Sequence, residues 1–531
     1  MINKAEKGGK GMELCSSIKS IAEKHKKTFF ITFICMFFTH IYSYTNKLIN
    51  GDEVKAFMSE PDPGRIEQGR WFKVVLDRIG GRISVPGINM FIICISIAVA
   101  ICFIAELMEI KGTLKTVALS FVFASFPAMT VTIGYLFVAD QYCIAILFSS
   151  AAAWCFAKEK LGYDIAGVII LTLSAGTYQS YWCFAVALIY IYAMKWLLEE
   201  TRDIKAIVKK GLRSLLLPGI SLVLYAILTK IIQTATNISM TDYAGLNNIG
   251  SIDLRTYIFF AKQAYRQALR FYFVDGSFVV RHYLVVFNAI VFLGIALFVV
   301  FKSLRKEYTW FQRISAAVLL FMMPFMLKMI YVMSGGQKWM GEVVDLSLIA
   351  PYILLVSILP DLSKIKWGRY INIICMASVL IIAYEGFLIA NTFYMKLQLD
   401  LMANFSAATR LVYRIEETEG YHYGMPVVTM GAEKAILDEN YPDSLDPIME
   451  SVGVLRGSLN THVVNNESQL ERFCEYFLGY DFNTYRGDEK HAVWAEIEKT
   501  EEYKNMAAYP AEGSIKVIND MLIIRFRDNA K

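Results

Sequence analysis

Charge is what this chain has least of. Only 19% of its 531 residues are Asp, Glu, Lys or Arg, against 56% hydrophobic residues, and the mean hydropathy is +0.42. That balance excludes a soluble globular protein of this length. The formal net charge of +5 is too small to point to a nucleic-acid partner, and it matters only through where the positive residues fall. Cysteine is not organised either. Cys35, Cys94, Cys102, Cys155, Cys183 and Cys375 lie inside apolar runs, Cys143 lies near the start of one, and only Cys15 and Cys474 remain. A disulfide framework is thereby excluded, and with no CxxC or Cys/His spacing nothing indicates zinc. There is no internal repeat and no low-complexity linker. The first apolar stretch is too long for a cleavable leader and has no small-residue cleavage site after it.

What the chain has instead is a succession of apolar runs, each about as long as the roughly 17–25 residues that cross a bilayer as a helix. About eleven spans are expected, near 28–48, 87–108, 114–130, 139–157, 164–179, 181–198, 214–234, 283–302, 312–333, 343–360 and 371–391. Basic residues crowd the N-terminus (Lys4, Lys7, Lys10, Lys19, Lys24, Lys26, Lys27) and every second connection, from Lys111 and Lys115 to Lys364, Lys366 and Arg369. Cytoplasmic loops collect such charge, so the N-terminus is expected inside. An odd number of spans then puts residues 392–531 outside, together with the first loop, 49–86.

After Asn391 the composition changes to a charged tail without membrane-length runs, long enough for a small domain. Residues 393–417 read as an amphipathic helix on Phe393, Leu397, Leu401, Phe405, Leu411 and Ile415. Strand-like runs follow at 426–430 and 521–526, with a helical stretch at 467–477. The expected fold is therefore an α-helical polytopic membrane protein with a small extracytoplasmic α/β domain. That domain carries no nucleophile elbow or P-loop.

Polar residues gather at the outer ends of the spans. Asn50-Gly51-Asp52-Glu53 places two carboxylates just after the first span, where desolvation is costly. They either cap and solvate a helix end or act on substrate. In 55–84, Trp71, Phe72, Val75, Leu76 and Ile79 interleave with Arg70, Lys73, Arg78 and Arg82, as in a helix lying in the interface. Asp140 opens the fourth span, as an N-cap or as a second acidic group on an outward loop. The junction Gly176-Thr177-Tyr178-Gln179-Ser180-Tyr181-Trp182 suits a sugar, whose CH faces stack on rings while its hydroxyls need hydrogen-bond partners; it suits an interfacial aromatic belt equally. Arg281 and His282 begin the eighth span. Lys328 lies inside the ninth, where it needs a partner, and Glu385 in the last span is one candidate. Ser334-Gly335-Gly336-Gln337-Lys338 offers backbone N–H groups beside a lysine, a cradle for phosphate.

Gly51-Asp52-Glu53, Gln68-Gly69-Arg70-Trp71, Ala139-Asp140, Tyr178-Gln179-Ser180-Tyr181 and the stretch from Tyr394 through Arg410 and Arg414 to Pro426, in that order on this topology, resemble the bacterial O-antigen-type glucosyltransferases of the GT-C class. The family commonly shows two aspartates where this chain has Asp52 and Glu53. The resemblance implies an inverting transferase in the bacterial cytoplasmic membrane. Its donor would be an undecaprenyl-phosphate-linked sugar, usually glucose, and its acceptor a cell-surface glycan. On that reading Asp52, Glu53 and Asp140 are the catalytic candidates. Arg70, Trp71, Arg78, Arg82, Tyr178, Gln179, Tyr181, Arg281, His282, Lys328, Gln337 and Lys338 would bind substrate. No cofactor is called for, and a divalent metal is not indicated. The competing readings are a transporter or flippase of lipid-linked sugars, which favours charges deep in the spans and an internal repeat, and a glycan polymerase or ligase.

Overall fold

The computed structural model describes residues 4–56, 64–80, 84–239, 253–274, 281–336, 341–362, 367–430, 446–464, 466–485 and 487–526. The chain divides into two compact units. One comprises Met1–Lys47, Glu60–Thr392 and Glu450–Leu459, and the other Leu48–Ser59, Phe393–Met449 and Asn460–Lys531.

The first unit is helical. Its leading helices are α1 (Lys4–Lys24) and α2 (Lys26–Thr45). The short helix α3 (Gly51–Ala56) belongs to the second unit, after which the first resumes with α4 (Gly64–Glu67) and α5 (Trp71–Gly80). Then come α6 (Pro86–Leu107), α7 (Thr113–Ala124), α8 (Pro127–Gly134), α9 (Leu136–Ala157), α10 (Leu161–Thr177), α11 (Ser180–Glu199) and α12 (Ile204–Thr236). Beyond these lie α13 (Leu254–Phe273), α14 (His282–Ser303), α15 (Trp310–Leu327), α16 (Met329–Met333), α17 (Ala350–Leu362) and the 49-residue α18 (Gly368–Glu416). Side-chain caps set several of these starts. Asp203 accepts from the Ala206 N–H at 2.8 Å, Asp253 from the Thr256 N–H at 2.7 Å, and Thr309 from the Gln312 N–H at 3.1 Å.

Among the described residues eight helices are long and apolar enough to cross a membrane, and the chain is a polytopic membrane protein. The sequence suggests about eleven spans, and the three that fall short have visible causes. The run at 114–130 is broken, because Pro127 begins a new helix and α7 and α8 meet at 49°. The fifth, Leu161–Thr177, and the tenth, Leu346–Pro360, are shorter apolar helices, and the latter starts as a 3₁₀ turn over Leu346–Ile349.

The second unit holds a three-stranded sheet of β1 (Val427–Met430), β2 (Ile515–Ile518) and β3 (Met521–Arg525) in the order β1-β3-β2. Strand β1 runs parallel to β3 with Val427 opposite Leu522, and β2 runs antiparallel with Val517 opposite Leu522. The core behind the sheet includes Leu411 and Ile415 from the end of α18, Phe473 from a helix over Glu467–Phe473, and Leu522 and Ile524. Ile49 and Val54 enter the same core, so the segment around Asp52 folds with the C-terminal residues.

Candidate active site

The segment 64–80 is held down by its own polar groups. The Gln179 amide donates to the Gln68 carbonyl at 2.7 Å and to the Tyr225 hydroxyl at 2.9 Å. The Tyr225 hydroxyl donates in turn to the Gly69 carbonyl at 3.2 Å. Gly69 sits at φ +72°, and a Cβ there would come within 2.3 Å of the Tyr225 hydroxyl, so glycine is required twice over. Trp71 is buried with its indole N–H on Thr229 at 3.1 Å, and a Cβ on Gly176 would strike its ring at 2.7 Å. These contacts pin α5 against α10 and α12.

On this base a buried aromatic and cationic cluster forms. The Arg70 guanidinium lies 4.5 Å from the centre of the Tyr178 ring. Tyr178 stacks on Tyr142 at 4.5 Å, and Tyr181 stands edge-on to Tyr142 at 5.9 Å. Stacked rings beside a cation suit a sugar joined to an anionic group. The expected residues Arg70, Trp71, Tyr178, Gln179 and Tyr181 are thus brought together. Tyr181, fully buried, packs against that cluster from within.

Asp140 is not an N-cap. Helix α9 starts at Leu136, which places Asp140 in its second turn, 5% exposed. Its Oδ1 has no hydrogen-bond partner among the described residues, and neither has Oε1 of the neighbouring Gln141. Buried acceptors in that state call for a ligand or an ordered water.

The interleaved pattern of α5 resolves differently from a simple interfacial helix. Lys73 points inward and is 3% exposed, while Val75 is 44% exposed and Arg78 faces solvent. Asp77, one turn on, draws Lys73 in. The ammonium donates to its two oxygens at 3.0 and 2.8 Å, and the Gln141 amide donates to Oδ1 of the same carboxylate at 2.5 Å. Burial holds the Lys73 pKa below the ordinary lysine value; the Asp77 charge opposes this, and Arg65 and Arg70 add to it. Asp77, Gln141 and Tyr225 escape sequence reasoning. The only signal was a Lys-to-Asp spacing of one helical turn, which surface pairs share.

In the second unit Asp52 is exposed and Glu53 fully buried. The Asn50 side-chain oxygen accepts from the N–H groups of Asp52 at 2.9 Å and of Glu53 at 3.1 Å. The Gly51 N–H donates to the His462 carbonyl at 2.8 Å, and the Gln469 amide to the Gly51 carbonyl at 2.8 Å. Below them the buried Asp400 accepts from the Val463 N–H at 2.7 Å, and the buried Lys396 donates to the Thr461 carbonyl at 2.7 Å. The start of α3 is therefore rigidly mounted while the Asp52 carboxylate stays accessible.

The other expected residues lie elsewhere. Lys328 sits at the break between α15 and α16 and pairs with Asp345, not with the candidate Glu385; both members of the pair are buried. Glu385 pairs with Arg281 at 3.3 Å and accepts from Tyr283. His282 is exposed at the start of α14. Arg82, Gln337 and Lys338 fall outside the described residues. No group of three or more His, Cys, Asp or Glu among the described residues could hold a metal ion.

A many-spanning helical protein that presents buried carboxamide and carboxylate acceptors beside stacked tyrosines and a cation has the build of a membrane glycosyltransferase. The sequence places it further: the chain belongs to the family described as Glucosyl transferase GtrII, whose profile matches residues 41–358, more than half of its length. Neither the search of curated proteins nor that of solved structures returns a match.

Proposed function

We propose that the protein transfers glucose from a polyprenyl-phosphate carrier, undecaprenyl phosphate in bacteria, to a cell-surface glycan on the outer face of the cytoplasmic membrane. The N-terminus is inside and the C-terminal unit outside, which takes an odd number of crossings, with the bent pair α7–α8 as a ninth beside the eight long helices; the anomeric carbon is inverted, as in the GT-C class. What carries the reading is the family match over 41–358, which includes Asp52, Arg70, Asp140 and Tyr178.

The chemistry balances with groups this chain supplies. An acceptor hydroxyl attacks the anomeric carbon as the bond from that carbon to the phosphate oxygen breaks, its electron pair staying on the phosphate. Asp52 takes the hydroxyl proton, and Asn50 and the 461–463 segment hold the backbone that carries it. Arg70 and its neighbours stabilise the charge growing on the phosphate. Tyr178 and Tyr142 back the Arg70 guanidinium where the sugar phosphate would lie, with Gln179 fixing the Gln68 carbonyl. Asp140 accepts from a sugar hydroxyl or completes the acid–base set.

The test is to incubate purified protein with polyprenyl-phosphate [¹⁴C]glucose and envelope glycan from cells lacking the gene. Label should move to the glycan and leave polyprenyl phosphate. Label that crosses a vesicle bilayer while still on its carrier would identify a flippase, and transfer of whole oligosaccharide a ligase.

A further inference from the structure

Resting on the donor reading above, we propose that the carrier lipid docks first on the exposed face of α13, where Arg266 and Arg270 clamp its phosphate and Lys262 stands one turn before them. The three cations lie at i, i+4 and i+8 on one line of the helix, with Cβ atoms roughly 5–6 Å apart from one to the next, and all three are exposed. Ala264, Ala268 and Tyr272 form the opposite, buried face. Among the described residues none of the three side chains has an ion-pair or hydrogen-bond partner.

The charge around this row is of one sign. Helix α13 carries Arg255, Lys262, Arg266 and Arg270 and no acidic residue. The helices packed against it, α14, α15 and α16, contain no Asp or Glu either. The carboxylates of adjoining segments are engaged elsewhere. Asp253 caps α13 on the Thr256 N–H at 2.7 Å, Asp345 pairs with Lys328, Glu342 accepts from the Ser458 N–H at 2.7 Å, and Glu385 pairs with Arg281. Asp242 and Asp275, the other acidic residues between α12 and α14, fall outside the described residues.

The row also runs down beside the spans. The Tyr265 ring lies 5.6 Å from that of Phe321 on α15, and the Tyr272 ring 4.8 Å from that of Phe292 on α14. The Asn288 amide donates to the Tyr272 carbonyl at 2.9 Å, which fixes that end. Phe292 is ten residues beyond His282, the start of α14, or about 15 Å along the helix. In the proposed orientation Arg270 therefore stands well below the outer surface, where an uncompensated cation is costly. Ordinary phospholipid headgroups stay at the surface, so a row at this depth serves a phosphate that enters the protein while its chain stays in the bilayer. Phe321, Val318 and Ile314, all exposed on α15, continue from the level of Tyr265 toward the inner side as an apolar track for that chain. Two arginines one turn apart present planar forks that match phosphate oxygens.

The test is equilibrium binding of a tritiated short-chain polyprenyl phosphate to purified full-length protein in neutral detergent, with the corresponding polyprenol as the uncharged control. Arg266→Gln combined with Arg270→Gln should weaken binding tenfold or more, as expected for lost charge-assisted contacts, with the melting temperature kept because both side chains are exposed. The double lysine variant should keep most of the binding. Lys205→Gln with Lys209→Gln, which removes two equally exposed charges from the start of α12, should change nothing. In transfer assays the donor KM should rise by the same factor with kcat at saturating donor retained, because docking precedes the chemical step. Unchanged binding in the double glutamine variant overturns this inference alone, as does an equal loss in the α12 variant or displacement of the ligand by phosphatidylglycerol, which would make the row a general headgroup surface. Wild-type protein that binds polyprenol as well as its phosphate, or binds neither, sinks the donor reading too.

Discussion

The Arg70 guanidinium lies over the Tyr178 ring, 4.5 Å from its centre, and so joins the segment before α5 to the junction of α10 and α11. A partly desolvated cation–π contact contributes on the order of 1–2 kcal/mol, enough to set the position of the segment. Arg70→Met should therefore raise the donor KM about tenfold or more and increase proteolysis within residues 64–80. Arg70→Lys should recover only part of the loss, because an ammonium cannot lie flat on the ring. Full recovery in Arg70→Lys would mean that charge alone matters there.

The ion pair of Lys328 with Asp345 gives a prediction of the opposite kind. Removing one member of a buried pair strands the other charge and costs about 3–5 kcal/mol. Lys328→Met should lower membrane yield and thermal stability, and the double variant Lys328→Met, Asp345→Leu should restore much of both. The donor KM of the folded fraction should stay unchanged. A raised KM with normal stability would return Lys328 to the phosphate site.

How much of this was legible in the sequence depends on the range over which each residue finds its partner. Arg70, Trp71, Tyr178 and Gln179, which the structure brings together, stand out in the sequence as rings, an amide and a cation at the ends of apolar runs. That Gln179 reaches the Gln68 carbonyl does not, because it depends on how α10 and α12 pack. Lys328 needed a partner, and the sequence offered Glu385, but the partner is Asp345, just after the break that follows α16. Glu385 was already taken by Arg281 and Tyr283. The strands at 427–430 and 521–525 were visible as apolar runs, whereas their parallel pairing across the whole tail was not. In the sequence α18 reads as a span followed by a separate amphipathic helix, since the loss of membrane-length hydrophobicity at Asn391 looks like an end even where the backbone continues.

Lys73 should leave a mark in the pH dependence. Its pKa lies below the ordinary value of 10.5 because burial, Arg65 and Arg70 outweigh Asp77. In the window between the lowered and the ordinary pKa the unfolded chain binds more protons, so stability rises with pH. Thermal stability measured from pH 7 to 10.5 should show the rising limb in the wild type and lose it in Lys73→Arg. A limb that survives in Lys73→Arg belongs to another group.

The proposed orientation has a direct check. Alkaline phosphatase fused after Lys531 should be active, and a fusion in the connection between α6 and α7, at Lys111, should be inactive. An inactive C-terminal fusion would mean an even number of crossings and would place the C-terminal unit on the cytoplasmic side, away from a surface glycan.

Asp52 and Glu53 are neighbours with opposite surroundings, which lets chemistry and architecture be separated. Asp52 is exposed and its backbone N–H is tied to Asn50, while Glu53 is fully buried in the C-terminal unit. Asp52→Asn keeps shape and the Asn50 contact but removes the basic oxygen. Its melting temperature and donor binding should match the wild type, and single-turnover transfer should fall about 10²–10⁴-fold, the usual share of a general base. Glu53→Ala leaves a void and strands whatever the carboxylate bonds, so it should lower the melting temperature, and Glu53→Gln should lower it less. Raising pH should rescue Asp52→Asn in part, because hydroxide or an ionised acceptor replaces the missing base. Near-normal transfer by Asp52→Asn at neutral pH would move the base to Asp140, whose unpartnered Oδ1 is the next candidate among the described carboxylates.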